Sequence, residues 1–207
     1  DEIDSVIRCI EMGAEDYLPK PFNPTLLRAR VGACLERKRL HDQVTARTRE
    51  LSESLEQQTA TSEVLQVISG SPGELEPVFQ AILANATRLC EAKFGVLYRY
   101  DGEAFQPAAV LNAPREYASF VWSRGRFLPQ AGNALDQVLQ TRNVIHTVDQ
   151  AAERVPTPSA RLAGARSQVI VPMLKERELI GAIAIYRQEV RPFAQKQIDL
   201  VTSFARQ

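Results

Sequence analysis

Apolar positions along this chain recur with two different periods, and the change from one to the other divides it. Up to about Ser69 the spacing is helical. Ile3, Val6, Ile7 and Ile10 fall three and four apart, and Gly13 stands where such a helix would end. Asp16-Tyr17-Leu18 then reads as a short strand. Asn23-Pro24 opens a second helix, with proline at the first position, where a backbone N–H has no helical partner to lose. Leu26, Leu27, Ala29, Val31, Ala33, Cys34 and Leu35 continue it. No breaker follows until Ser69-Gly70-Ser71-Pro72-Gly73, which is the clearest domain boundary in the sequence.

Within that long helix Val44, Leu51, Gln58 and Leu65 repeat every seven residues, with Thr48, Leu55 and Ser62 four residues after the first three. This is the seam of a weak coiled coil, in which the polar positions fix register at the expense of stability. The same pattern also fits a solvated linker helix that pairs with nothing.

Beyond Gly73 the period alternates between elements. Leu75, Val78, Phe79, Ile82, Leu83, Ala86 and Leu89 form one helical stripe. Phe94–Tyr100 and Phe105–Leu111 are strand-like runs around Asp101-Gly102, a strong hairpin signal. Helices are expected over Pro114–Arg124 and Asn133–Gln140, a strand over Val144–Val148, and a polar surface loop over Gln150–Ser167. A second hairpin follows, with Gln168–Leu174 and Leu179–Tyr186 joined by a charged turn. Pro192–Gln207 closes the chain as a helix.

Composition changes this picture little. The 207 residues are 44% hydrophobic and 24% charged, enough for one packed domain with a smaller segment before it. Lysine and arginine (25) balance aspartate and glutamate (25), so neither nucleic acid nor an anionic membrane is expected as a partner. The basic run Arg37-Lys38-Arg39 is interrupted by Glu36, Asp42 and Glu50 and reads as a solvated helix face. Cys9, Cys34 and Cys90 stand in no metal or redox spacing, as expected of reduced thiols in a cytoplasmic protein. No apolar run is long enough to span a bilayer and no leader pattern stands at the start.

Two resemblances organise these elements. Gly13-Ala14-Glu15-Asp16-Tyr17-Leu18-Pro19-Lys20-Pro21-Phe22 resembles the last strand of a response-regulator receiver domain. In that family the lysine of the Lys-Pro-Phe step pairs with a phosphorylated aspartate, and an aromatic residue nearby moves on activation. Lys20, Pro21 and Tyr17 match those positions. The acceptor aspartate would lie before Asp1, so the resemblance implies a truncated remnant that is not itself phosphorylated, in a piece of a longer signalling protein.

Glu91-Ala92-Lys93-Phe94-Gly95-Val96-Leu97-Tyr98-Arg99-Tyr100-Asp101-Gly102 resembles the first strand of a GAF domain. Val171-Pro172-Met173-Leu174 followed by Glu178-Leu179-Ile180-Gly181-Ala182-Ile183-Ala184-Ile185 resembles its last hairpin. The resemblance implies an α+β fold, a six-stranded antiparallel sheet flanked by helices, with helices on one side and a ligand cavity on the other. The expected organisation is a receiver remnant at 1–40, a linker helix and possible coiled coil at 41–72, and a GAF domain at 73–207.

Little in the residues points to catalysis. His146 and Asp149 lie three apart at a strand end with no activated serine or cysteine beside them, and His41 lies on the charged linker helix. No phosphate loop or metal-ligand cluster is present. The Asn-Lys-…-Phe-…-Asp-Glu signature of cyclic-nucleotide-binding relatives and a bilin-attaching cysteine in the mid-domain helices are both missing, and a lone His146 is a poor haem ligand. No cofactor is therefore expected, and whether an unknown small ligand binds stays open. Its pocket is expected between the sheet and the mid-chain segment, with Tyr98, Val110, Tyr117, Phe120, Trp122 and Phe127 as lining candidates. Ordinary core is the plainer reading of each of the same residues. Arg161 and Arg166 on the polar loop are either anion contacts or solvated.

The functional expectation is a non-catalytic sensory fragment of a bacterial two-component protein, of the hybrid histidine kinase type. Its GAF domain would sense a ligand or partner and relay the state through helices of a homodimer to an output domain elsewhere in the parent chain. The alternatives are a purely structural dimerisation module and the input region of a nucleotide cyclase.

Overall fold

The computed structural model describes residues 7–8, 11–14, 21, 23–70, 75–153 and 156–206. The chain divides into two units, Asp1–Ser54 and Leu55–Gln207. In the first, Met12 N–H bonds the Arg8 carbonyl at 3.0 Å and Gly13 takes a left-handed φ of +92°, which ends a short helical stretch. Pro21 is a bend; Tyr17, Lys20 and the expected strand at Asp16–Leu18 lie outside the described residues. The receiver segment therefore stays a sequence resemblance.

Helix α1 (Pro24–Gly70) begins where Asn23-Pro24 dictates. The Asn23 side chain accepts from Thr25 N–H at 2.9 Å and Leu26 N–H at 3.3 Å, capping donors that would otherwise lack partners. Leu35, Leu40, Val44, Leu51 and Leu55 are exposed along it, and its charges form exposed pairs such as Arg47–Glu50 at 3.0 Å. Pairs of that kind contribute little stability.

The second unit is built on a five-stranded antiparallel sheet of order β2-β1-β5-β4-β3. Its strands are β1 (Phe94–Tyr100), β2 (Phe105–Leu111), β3 (Ile145–Thr147), β4 (Ser167–Lys175) and β5 (Glu178–Arg187). Helices α2 (Leu75–Leu89), α3 (Arg115–Ser123), α4 (Ala134–Thr141), α5 (Pro158–Ala163) and α6 (Gln195–Phe204) complete it.

Strand alternation sorts the apolar residues into two cores. Leu97, Val169, Val171, Ile183 and Ile185 pack with Val78, Ile82, Leu83 and Ala86 of α2 and with Val201 and Phe204 of α6. Ala60 of α1 joins this core, fully buried. The intervening residues Phe94, Val96, Tyr98, Ile170, Ala182, Ala184 and Tyr186 meet Tyr117 and Val121 of α3 and Leu135 and Val138 of α4. Each large apolar side chain so buried stabilises the fold by roughly 1.5–3 kcal/mol.

Among the described residues the sheet holds five strands rather than the expected six, and the residues at its edge give the reason. Beside β2 the chain returns at Phe127, which exchanges two backbone hydrogen bonds of 2.8 Å with Phe105 and forms a single bridge. Gly125, at φ +57°, turns the chain on one side of that bridge, and Pro129 on the other has no N–H for the next ladder pair. The bridge cannot lengthen into a strand.

The Gln150–Ser167 segment, expected as a loop, is instead partly helical. Gln150–Ala152 is a 3₁₀ turn and α5 follows, with Thr157 accepting from Ala160 N–H at 3.2 Å and Pro158 in its first turn. The Thr-Pro pair is a helix-start signal of the same kind as Asn23-Pro24.

Candidate ligand-binding site

On the α3/α4 side of the sheet lies a cavity of about 480 Å³, within the range of small-molecule sites. Tyr98 of β1, Gln168 and Ile170 of β4 and Tyr186 of β5 form its floor. Tyr117, Phe120 and Arg124 enter from α3 and its C-terminal end. Ala134, Leu135 and Gln137 enter from α4, and Gln130–Asn133 form the rim before it. Glu153, Pro156, Thr157, Pro158 and Ser159 close the remaining side.

Local bonding holds this rim in place. Asn133 caps α4 by accepting from Asp136 N–H at 2.8 Å, while the Asp136 carboxylate accepts from Gly132 N–H at 2.8 Å. Gly132 sits at φ +81°, which its missing Cβ permits. On the opposite side Thr157 and Ser159 both donate to the buried Gln150 Oε1, at 2.5 and 2.7 Å. Among the described residues the Gln150 Nε2 donor has no partner.

The floor carries three phenols. The Tyr117 hydroxyl donates to the Tyr186 hydroxyl at 3.5 Å, and Phe94 stacks on Tyr186 with ring centres 4.7 Å apart. Burial raises the pKa of Tyr98, Tyr117 and Tyr186, while Arg124 pulls each downward, so all three are neutral hydroxyls within the field of one guanidinium. The Arg124 guanidinium lies 3.5 Å over the Phe127 ring. Burial also raises the Glu153 carboxyl, against the Thr147 side chain that holds it down.

Of the six candidate lining residues, Tyr98, Tyr117 and Phe120 line the cavity. Val110 packs in the half-buried edge of the same core, Phe127 packs there beneath Arg124, and Trp122 faces outward, 48% exposed. The lining also includes Arg124, Gln168, Tyr186, Thr157 and Ser159, none of them among those candidates. For Arg124 a signal existed, an arginine with Phe120 four residues before and Phe127 three after. Tyr186 ends an apolar strand and carried no such mark.

The other polar candidates are engaged elsewhere. Asp149 is held by Arg166 through two bonds of 2.8 Å, which lowers its pKa to about 2. His146 Nε2 accepts from Phe193 N–H at 3.1 Å, so the pair is no catalytic dyad. Arg161 is exposed on α5. Burial pushes the Cys90 thiol up to about 12, which leaves it unreactive at neutral pH. Among the described residues no group of His, Cys, Asp and Glu could hold a metal ion, and no helix is long and apolar enough to cross a membrane.

Comparison with known proteins agrees with this architecture. Residues 74–207 match the GAF domain family. The chain is similar to the GAF domain of a phosphoenolpyruvate-protein phosphotransferase from Coxiella burnetii, at 15% identity and a TM-score of 0.61 over 73% of this chain and 89% of that one. It is also similar to a GAF domain/HD domain protein from Geobacter sulfurreducens, at 21% identity and a TM-score of 0.55 over 65% and 92%. A domain of a putative two-component sensor histidine kinase from Sinorhizobium meliloti 1021 matches at 17% identity and a TM-score of 0.51, over 65% and 87%. At these identities the likeness is one of fold. The family match covers well over half of the chain, which therefore belongs to the GAF family, a family of small-ligand sensing modules in signalling proteins.

Proposed function

We propose that this chain is a non-catalytic sensory segment of a cytoplasmic bacterial two-component protein, and that the cavity is where it receives its signal. The supporting observation is the division of labour along β5. Ala182, Ala184 and Tyr186 join the cavity-side core, while Ile183 and Ile185 join the core of α2 and α6. A ligand that displaces Tyr186 therefore pushes on the strand against which both helices pack. Coupling of ~1–3 kcal/mol between cavity and helices is enough for regulation. An open cavity also favours sensing over a purely structural module, whose would-be pocket would be filled by large side chains. In this proposal the helices belong to a parallel homodimer and deliver the change to a histidine kinase output in the parent chain.

Native mass spectrometry of the chain purified from a bacterial host tests the sensory half. The expected result is an added mass that persists under gentle conditions and is lost on denaturation. A bare chain that also gains no mass from a metabolite extract would overturn it.

A further inference from the structure

The chemistry of the cavity narrows what it accepts, a step that rests on reading the cavity as the sensory site. Among the described residues Arg124 is the one basic residue on its lining. Its guanidinium is held between Phe127 at 3.5 Å and Phe120 at 5.5 Å, and among the described residues no oxygen accepts a hydrogen bond from it. A partly buried cation so placed has its orientation set by ring faces and its N–H groups left for something else. Three neutral phenol hydroxyls lie within its field. Tyr98 and Tyr117 donate their hydrogen bonds along this row toward Tyr186, whose own O–H can donate to an anion that the guanidinium attracts.

Charge and shape limit that anion further. Among the described lining residues Glu153 is the one acidic group and Arg124 the one cation, so a second negative charge on the ligand would meet a carboxylate there rather than a second described cation. A diphosphate or a dicarboxylate is a poor match, and a monoanion suits the balance. The Tyr117 and Phe120 rings lie 21° from parallel with centres 6.4 Å apart, and Leu135 and Ile170 add apolar wall. Such surfaces favour a flat, apolar body.

We propose that the cavity binds a small aromatic monocarboxylate, its carboxylate received by Arg124 and the Tyr186 hydroxyl and its ring lying against Tyr117 and Phe120. Isothermal titration of the purified chain with benzoate, phenylacetate and indole-3-acetate, each paired with its neutral amide, tests this. At least one acid should bind, with its amide weaker by roughly tenfold or more, the range expected for a lost charge-assisted hydrogen bond. Arg124→Gln should bring the acid down to the level of the amide while leaving the circular dichroism unchanged, and Arg124→Lys should recover part of the difference. Equal binding of acid and amide, undiminished acid binding by Arg124→Gln, or no binding by any of the three acids would each overturn the proposal. Native mass spectra separate the two failures. A retained neutral or polyanionic ligand keeps the sensory reading and removes the aromatic acid. A bare chain that binds nothing removes both.

Discussion

Arg187 shows how far a single residue can depart from its place in the sequence. It ends an apolar strand and looks like a surface arginine, yet it is 2% exposed and among the described residues no carboxylate forms an ion pair with it. Its guanidinium donates to the carbonyls of Cys90 at 2.7 Å, Arg191 at 2.8 Å and Pro192 at 3.0 Å, and to Gln197 Oε1 at 3.1 Å. The Phe193 ring lies 4.1 Å beneath it. One side chain thus ties the end of α2 to β5 and the start of α6. Arg187→Met should lower stability by roughly 3 kcal/mol or more, because several buried acceptors lose their donor together. Urea unfolding measures this, and Arg187→Lys should recover only a fraction, since an ammonium cannot reproduce the planar fork.

His146 carries the residue-scale pH dependence. Its Nε2 accepts a backbone N–H, and burial followed by the nearby Arg187 charge lowers its pKa below 6.5. Between the lowered folded value and 6.5 the unfolded chain binds more protons than the folded one. Stability should therefore be full above about pH 6.5 and fall as pH drops through the folded value. Urea midpoints measured from pH 8 to pH 5 should show this decline, and His146→Gln should flatten it.

At the scale of elements, two glycines separate packing from propensity. A Cβ on Gly181 would run into the Tyr98 carbonyl oxygen on the adjacent strand, with Met173 Sδ also at 3.3 Å. Gly181→Ala should cost about 1–3 kcal/mol through overpacking and should loosen the β1–β5 pairing, read as faster amide exchange there. Gly32, inside α1, has nothing within 4 Å of an added Cβ. Gly32→Ala should stabilise that helix by about 0.5–1 kcal/mol, visible as a rise in helical ellipticity. The charged hairpin turn belongs to this scale too. Glu176 and Arg177 take left-handed φ values of 52° and 72°, positions where glycine or asparagine is usual. Arg142 braces this turn by donating to the Arg177 carbonyl at 3.1 Å.

For the whole molecule, the proposed parallel dimer has a direct chemical test. Counting back by sevens from Leu55 reaches Thr48, His41 and Cys34, so paired α1 helices in this register would bring Cys34 opposite its counterpart. Cys34 is a half-buried free thiol. Mild oxidation should give a cross-linked dimer on non-reducing gels, lost in Cys34→Ser. Leu51→Asp with Leu55→Asp should shift sedimentation toward monomer. A dimer that survives both aspartates would remove the coiled coil from the proposal.

Short stretches of the chain place most of its elements, α5 being the exception. The cap and proline at Asn23-Pro24, the stripe from Leu75 to Leu89, and the two strand pairs around Asp101-Gly102 and Lys175–Glu178 all act over a few residues. Local conformational preference and period are enough to place them. They also sufficed to put Tyr98, Tyr117 and Phe120 near one another, because the order of elements set strand and helix face to face. Only the tertiary structure decided the rest. That Trp122 turns outward while Arg124 lines the cavity depends on the angle at which α3 meets the sheet. The burial of Arg187 depends on carbonyls at positions 90, 191 and 192 converging from two separate connections, one after α2 and one before α6. The stop at five strands depends on where Phe127 meets the edge of β2, with Pro129 two residues beyond. Each is a contact between residues distant in the chain, which no short-range pattern encodes.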